Sequence, residues 1–318
     1  MWHLPIEGKP LKLAGTVLWS TVFVLLMLSA CGGRHSDGFS PLKATPTPAA
    51  SATSTAYENP EATETGTAAP RSECIQSKGE VRSFEFTDPV MTAFKIPANV
   101  YLPPCYSSGD EEYPVMYLLH GYPRDQDHWL ELGLQQVLDD HLSRGEWPGV
   151  IAVMPQQPEP YFTHTDGGPS SLEQVITEGL VPAVDATFRT RAEPEGRAIV
   201  GISRGGVWAL EISLRHPDMF CGVAALSPAL TVNHPRPTYD PGVIAQQAVD
   251  LPERIWISVG DSEPSFQVGI DKFTSVLDQE GIDYVYIHSS GRHEDAAWQR
   301  LFEPLFEYLL APWMVPGS

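Results

Sequence analysis

The sequence has few cationic side chains and few cysteines, and each shortage argues against a class of function. Its 318 residues hold 20 Lys and Arg against 40 Asp and Glu, for a formal net charge of −20. No basic patch or arginine-rich stretch interrupts this acidity, so the chain would repel nucleic acid and anionic membrane surfaces. Four cysteines are present, and no Cys and His spacing resembles a zinc site. We therefore expect no nucleic-acid partner, no metal and no cofactor.

Residues 1–30 have the parts of a secretory signal. An apolar run at residues 13–28 follows Lys9 and Lys12, and it is short and Ser/Thr-interrupted for a membrane-spanning helix. The ending Leu28-Ser-Ala-Cys31 resembles the lipobox of bacterial lipoproteins, which would make Cys31 the lipidated first residue of the mature protein. The alternative is an uncleaved N-terminal anchor helix. Either interpretation places the rest of the chain outside the bacterial cell membrane.

Residues 31–72 are dominated by Thr, Ala, Pro and Ser. Such a segment has too few large apolar side chains to offset its ordering entropy by burial. We expect a disordered tether that holds a globular domain, residues 73–318, away from the membrane surface.

Export would place the remaining cysteines in an oxidising compartment. Cys74 and Cys105 both lie in or beside loops at the start of the domain, and they are the natural disulfide pair. Cys221 lies in an apolar, strand-like run, so we expect a buried free thiol there.

From residue 79 onward, apolar strands alternate with amphipathic helices, and no internal repeat is visible. Strands that are apolar throughout are typical of a parallel sheet covered by helices on both faces, which predicts one α/β domain. The predicted strands cover residues 81–86, 92–102, 114–119, 150–154, 198–202, 221–226, 254–259 and 284–288. The predicted helices cover residues 129–142, 172–188, 204–215, 267–279 and 302–310.

A serine framed by glycines stands where a predicted strand meets a predicted helix. The pattern Gly201-x-Ser203-x-Gly205 is that of a nucleophile elbow, a strained turn that lifts the serine hydroxyl clear of the sheet edge. Side chains at either glycine would clash with neighbouring backbone. Ser203 is therefore the candidate nucleophile.

A serine hydroxyl needs a base within hydrogen-bond reach, and where the serine stands on such a turn the order along the chain is serine, acid, histidine. His293 lies in a glycine-containing loop just before the last helix, where an imidazole can reach the sheet edge. His288 falls in a strand-like run and is interpreted as structural. His293 is therefore the candidate base.

Two carboxylates compete for the role of the acid in the loop after the strand at residues 254–259. Glu263 is favoured because loops of this kind usually place the acid three residues after the glycine, here Gly260. Asp261 could instead cap the following turn, or it could be the acid itself. The sequence leaves this choice open.

A tetrahedral intermediate needs two backbone N–H donors. One would come from Arg204, which follows the nucleophile, and the other from Tyr122 in the His120-Gly121-Tyr122 segment that ends an early strand. The side chains of His120 and Trp129 are candidates for contacts with substrate, although Trp129 could equally pack its helix.

These motifs together resemble one family of α/β hydrolases, which includes esterase D, feruloyl esterases, enterochelin esterases and the mycobacterial mycolyltransferases. The resemblance covers roughly residues 75–312. The motifs that carry it are Val100-Tyr-Leu-Pro-Pro-Cys-Tyr106, Tyr113-Pro-Val-Met-Tyr-Leu-Leu-His-Gly121, Trp129, Gly201-Ile-Ser-Arg-Gly-Gly206, His216-Pro-Asp-Met-Phe220, Leu226-Ser-Pro228, Gly291-Arg-His293 and Trp298.

The resemblance implies an α/β-hydrolase fold with Ser203 as nucleophile, His293 as base, and Tyr122 and Arg204 as oxyanion donors. The sequence departs from the family pattern at the acid, because the family usually has aspartate where Glu263 stands. We expect a serine esterase acting on carbohydrate or aromatic acid esters, with siderophore esters second. The alternatives are acyl transfer of the mycolyltransferase type and a non-catalytic binding module on a hydrolase fold.

Overall fold

The computed structural model describes residues 74–164, 166–232 and 235–314, and the strands of these segments form one eight-stranded sheet. The predicted signal and tether, including Cys31, lie outside the described residues. The strands are β1 (Glu80–Thr87), β2 (Lys95–Leu102), β3 (Val115–Leu119), β4 (Ile151–Pro155), β5 (Arg197–Ile202), β6 (Gly222–Leu226), β7 (Arg254–Gly260) and β8 (Val285–Ser289).

The strand order is β1-β2-β4-β3-β5-β6-β7-β8. β2 runs antiparallel to both of its neighbours, and the pairs from β4 to β8 are all parallel. The predicted α/β class with a mostly parallel sheet is therefore confirmed.

Helices cover both faces of this sheet. They are α1 (His128–Glu131), α2 (Leu134–Ser143), α3 (Leu172–Gln174), α4 (Val181–Thr187), α5 (Arg204–Arg215), α6 (Pro241–Gln247), α7 (Pro264–Glu280), α8 (Asp295–Gln299) and α9 (Phe302–Leu310), with a π-helical segment, Val175–Leu180, joining α3 to α4. Among the described residues, no helix is long and apolar enough to cross a membrane.

The alternation of side chains along each strand divides the core in two. In β3, Val115, Tyr117 and Leu119 point into one cluster with α4, α5 and α7. Met116 and Leu118 point into the other cluster with α2 and α9. All five residues of β3 are buried, because a parallel strand with helices on both faces has no solvent side.

Two predicted helices differ from the structure for local reasons. The helix predicted at residues 129–142 is divided, because Gly133 adopts a left-handed φ of 85° between α1 and α2. The helix predicted at residues 172–188 continues through a π-helical segment. Pro182 follows that segment and cannot supply an N–H to the helical ladder.

Helix α6 was not predicted, although the sequence carries a signal for it. Asp240 accepts hydrogen bonds from the N–H groups of Gly242 and Val243, and Pro241 occupies the first turn. An acidic N-cap followed by proline is a typical helix start. Helix α8, in the loop region after His293, was also missed.

A buried charge cluster ties α3 to the end of α5. The Glu173 carboxylate accepts hydrogen bonds from Arg215 and His216. Burial and the neighbouring Glu173 charge raise the pKa of Glu211 to about 9, so this second carboxyl is neutral at pH 7. His216, which belongs to one of the sequence motifs, thus holds the end of α5 to α3 through its hydrogen bond to Glu173.

The carboxyl ends of β3, β5, β6, β7 and β8 meet at one edge of the sheet. Each strand is followed there by a loop that carries one of the residues singled out in the sequence. Crevices at this edge are where open α/β sheets bind ligands.

The described cysteines are arranged as the sequence predicts. Cys74 and Cys105 form a disulfide that closes a 31-residue separation, and Cys221 is free and buried. The disulfide joins the start of the described chain to the turn that follows β2.

Replacing both Cys74 and Cys105 by Ser should lower the free energy of unfolding by about 3–4 kcal/mol, because the unfolded chain regains the entropy of an open loop. Denaturant unfolding of the two chains measures this difference. Cys221→Ala is the matched control, since it removes a thiol that closes no loop. A double variant no less stable than this control would contradict the prediction.

Candidate active site

The turn between β5 and α5 is crowded on both sides of Ser203. A Cβ on Gly201 would lie 2.1 Å from the carbonyl oxygen of Gly205, and one on Gly205 would lie 2.4 Å from that of His120. Ser203 itself has a φ of 56°, a conformation that non-glycine residues rarely adopt. The glycines on either side of the serine are therefore required by close backbone packing, as the sequence motif predicts.

The structure brings Ser203, His293 and Glu263 together from the loops after β5, β8 and β7. His293 Nε2 lies 2.8 Å from Ser203 Oγ, and His293 Nδ1 lies 2.5 Å from Glu263 Oε1. A carboxylate only accepts, so Nδ1 carries the proton and Nε2 accepts from the serine hydroxyl. This is the arrangement of a nucleophile, a base and an orienting acid.

Asp261, the alternative acid, contacts neither of the other two side chains in this arrangement. Its Oδ1 accepts hydrogen bonds from the N–H of Gly291 and the hydroxyl of Ser262. It therefore ties its own loop to the loop that precedes His293, while Glu263 is the carboxylate that meets the imidazole.

Glu263 is held ionised in a buried position. Burial raises its pKa, but hydrogen bonds from His293, from the Ser227 hydroxyl and from the Gly260 N–H outweigh that effect and leave the pKa below its ordinary value. The side chain is only 3% exposed. A carboxylate this deeply buried depends on those three donors.

Aromatic rings enclose the imidazole of His293. Phe266 stacks on it with ring centroids 4.1 Å apart, and Trp298 meets it edge-on at 4.9 Å. Neither residue was assigned a role at this site from the sequence, although Trp298 belongs to a motif that carries the family resemblance.

The loop after β3 approaches the serine closely. A Cβ on Gly121 would lie 3.4 Å from Ser203 Cβ. His120 Nε2 accepts the N–H of Gln157, so Nδ1 carries the proton and donates to the Gly121 carbonyl, which also accepts the N–H of Arg124. Because the two sides of a peptide point in opposite directions, fixing this carbonyl also fixes the direction of the Tyr122 N–H.

Arg204, the other expected oxyanion donor, is the first residue of α5. The first N–H groups of a helix have no partner within it, and they carry the positive end of the helix dipole. The Arg204 guanidinium points elsewhere, toward the carbonyls of Phe162 and Thr163.

The prediction that His120 and Trp129 contact substrate is contradicted by their burial. His120 is 1% exposed, and both of its ring nitrogens are occupied by backbone groups. Trp129 is fully buried and stacks on Phe302. His120 supports the loop that contains Gly121, and Trp129 packs α1 onto α9.

An open cleft of about 490 Å³ lies over Ser203. An ion pair in its lining, between Arg124 and Asp295 with nitrogen and oxygen 2.6 Å apart, joins the loop after β3 to the start of α8. Asp295 also lies 3.2 Å from His128 Nε2. The cleft is lined by Gly121, Tyr122, Arg124, His128, Ser203, His293, Glu294, Asp295, Ala296 and Trp298.

Within the described segments, no group of three or more His, Cys, Asp or Glu side chains is arranged to hold a metal ion.

The pKa of His120 gives a stability prediction. Burial lowers this pKa to about 4, whereas an exposed histidine titrates near 6.5. The unfolded chain therefore binds the proton first, and stability is lost as the pH falls from about 6.5 to about 4, by on the order of 3 kcal/mol. The free energy of unfolding, measured with denaturant at several pH values in this range, should change with pH with a shallower slope for His120→Gln than for the wild type. Equal slopes would contradict a neutral, buried His120.

The similarity to known proteins covers most of the part of the chain that the structure describes. The profile of the family described as "Putative esterase" matches residues 91–308. The endo-1,4-beta-xylanase/feruloyl esterase of Xylanibacter ruminicola is 30% identical over 221 residues, which are 67% of this chain and 29% of that protein. The chain thus spans less than a third of the length of the curated relatives that it matches first.

Solved structures share the fold. A ferulic acid esterase superposes with a TM-score of 0.65 at 21% identity, covering 74% of this chain and 98% of its own. An S-formylglutathione hydrolase of Staphylococcus aureus superposes with a TM-score of 0.63 at 17% identity, covering 73% and 99%. With the family profile matched over residues 91–308 and this sheet topology, the chain belongs to the esterase family of the α/β hydrolases.

Proposed function

We propose that the protein is a serine esterase that cleaves carboxylic esters through an acyl-enzyme on Ser203. The observation that carries the proposal is the continuous line of hydrogen bonds from Ser203 through His293 to Glu263. The relative from Xylanibacter ruminicola, whose name includes feruloyl esterase, supports the same chemistry.

In the first half of the reaction, Ser203 Oγ attacks the ester carbonyl carbon while His293 Nε2 takes the hydroxyl proton. Glu263 accepts from Nδ1–H, which keeps the imidazole in the correct tautomer and stabilises the imidazolium. The N–H groups of Tyr122 and Arg204 bind the oxyanion. The intermediate then collapses, the carbon–oxygen bond to the alcohol breaks, and His293 returns the proton to the leaving alkoxide.

In the second half, His293 removes a proton from water, and the resulting hydroxide attacks the acyl-enzyme carbonyl. A second tetrahedral intermediate forms in the same oxyanion site. Its collapse breaks the bond between the acyl carbon and Ser203 Oγ, His293 returns the proton to Ser203 Oγ, and the carboxylic acid leaves. The cycle needs no cofactor.

Carbohydrate or aromatic acid esters are the substrates that this cleft favours. Its walls carry Arg124, Glu294 and Asp295, groups that hydrogen-bond hydroxyls. Tyr122, 59% exposed, supplies an aromatic face beside Ser203, and its ring lies 6.0 Å from that of Phe162. Siderophore esters come second.

Two other functions remain as outcomes of the tests. In acyl transfer of the mycolyltransferase type, a sugar hydroxyl would replace water as the acceptor. A non-catalytic surface module is disfavoured, because a binding role gives no reason to keep a buried, ionised Glu263 hydrogen-bonded to His293.

A fluorophosphonate probe should label the wild type at Ser203, because the activated hydroxyl displaces fluoride from phosphorus. Ser203→Ala and His293→Ala should each lower kcat/KM on a panel of feruloyl, acetyl and aryl esters by roughly 10⁴-fold or more, and the double variant little further. Peptide mapping and steady-state kinetics measure the two effects. An unlabelled wild type would favour the non-catalytic module, and products acylated on an added sugar would favour acyl transfer.

Substitutions of the two carboxylates on the loop after β7 test which of them is the acid, and each serves as the control for the other. Glu263→Gln keeps the shape but presents an amide donor to His293 Nδ1, so the wrong tautomer forms and the rate should fall on the order of 10⁴-fold. Asp261→Asn still offers an oxygen to the Gly291 N–H and should keep a nearly normal rate. The opposite result would make Asp261 the acid.

Export and lipid anchoring through Cys31 are the second part of this proposal. The disulfide between Cys74 and Cys105 supports an oxidising compartment. In bacteria fed an alkyne fatty acid, the full-length wild type should carry the label in the membrane fraction. Cys31→Ala should lose it, whereas Cys221→Ala should retain it. A label that survives in Cys31→Ala would contradict anchoring at this residue.

A further inference from the structure

A second strained serine lies between the nucleophile and the acid. Ser227 follows β6, the strand between β5 and β7 in the sheet. Its φ is 44°, in the left-handed region that favours glycine, and its side chain is 2% exposed. A buried non-glycine residue in this conformation is often maintained by a function.

The hydrogen bonds of Ser227 have only one possible direction. The indole N–H of Trp298 can only donate, and it lies 3.3 Å from Ser227 Oγ. The Glu263 carboxylate can only accept, and its Oε2 lies 2.7 Å from the same oxygen. The Ser227 hydroxyl therefore accepts from Trp298 and points its own proton at Glu263.

The backbone around Ser227 holds this hydroxyl in place. The Ser227 N–H donates to the carbonyl of Ser258 at 2.9 Å, and the Ala229 N–H donates to the carbonyl of Ser203 at 3.1 Å. The loop after β6 is thus hydrogen-bonded to the strand that precedes the acid and to the turn of the nucleophile.

Glu263 uses both of its oxygens. Oε1 accepts from His293, while Oε2 accepts from Ser227 and from the Gly260 N–H. Ser227 is the side chain that holds the oxygen turned away from the imidazole. Without the Ser227 hydroxyl, Glu263 would lose one of the three donors that keep its pKa low against the effect of burial, and its pKa would rise.

We infer that Ser227, oriented by Trp298, is a positioning residue that keeps Glu263 ionised and turned toward His293. It acts through Glu263 and touches neither substrate nor the reacting atoms. The inference rests on the proposed role of Glu263 as the acid of the esterase.

Ser227→Ala and Ser227→Gly test the hydroxyl separately from the backbone. Glycine suits the positive φ, so Ser227→Gly removes the hydroxyl without strain and remains informative if the alanine variant folds poorly. Both variants should lose kcat roughly tenfold, with KM on an aryl ester little changed, because a hydrogen bond to a charged group is lost. The acidic limb of the kcat/KM profile should move to higher pH, because the Glu263 pKa rises.

Ser258→Ala is the matched control. Ser258 is also a fully buried serine at this end of the sheet, and its hydroxyl has no hydrogen-bond partner within the described residues. Its replacement by Ala should leave both kcat and the pH profile at wild-type values.

The outcomes separate this inference from the proposed function. If Glu263→Gln is inactive but both Ser227 variants keep the wild-type kcat and pH profile, the positioning role is wrong and the esterase assignment stands. If Glu263→Gln is fully active, the acid itself is misassigned. If a Ser227 variant changes KM alone, Ser227 acts on the shape of the cleft, and the inference is overturned.

Discussion

The backbone of the loop after β3 approaches helix α5 so closely that a single methyl group would not fit between them. A Cβ on Gly205 would lie 2.4 Å from the carbonyl oxygen of His120. The same loop brings Gly121 against Ser203, where a Cβ on Gly121 would lie 3.4 Å from Ser203 Cβ, and it continues into the peptide that carries the Tyr122 N–H. His120, buried and neutral, then fixes that peptide from the far side.

The ionisation of Glu263 depends on a balance between burial and hydrogen bonding. Glu263 is buried, which by itself favours the protonated form, yet three donors from three different segments keep the pKa low. The hydrogen bond from the Gly260 N–H shows the glutamate side chain folding back over its own loop. The side chain thus reaches His293 with one oxygen, while Ser227 and Gly260 hold the other.

The strand order explains why distant segments converge. Ser203, Ser227 and Glu263 follow β5, β6 and β7, which are adjacent and parallel, and His293 follows β8 at the edge of the sheet. The carboxyl ends of parallel strands lie at the same end of the sheet, so four loops that are far apart in sequence meet there. In the cleft beside Ser203, the ion pair of Arg124 with Asp295 ties the loop after β3 to the segment after His293.

The sequence by itself determined whatever depends on local pattern. Apolar strands alternating with helices predicted the α/β class, and the glycines around Ser203 predicted a crowded turn, because both features are written in neighbouring residues. It also ranked His293 above His288 and Glu263 above Asp261, but only by position along the chain. In the structure, His293 and Glu263 form the hydrogen-bonded line to Ser203.

Only the tertiary structure decided which side chains meet. From the sequence, His120 and Trp129 look like cleft residues, yet His120 is buried against the segment after β4 and Trp129 is buried against α9. The Leu226-Ser-Pro228 motif contains Ser227 but does not reveal what its hydroxyl contacts. This hydroxyl depends on a positive φ and on partners 36 and 71 residues away, and such long-range hydrogen bonds exist only once the sheet has assembled.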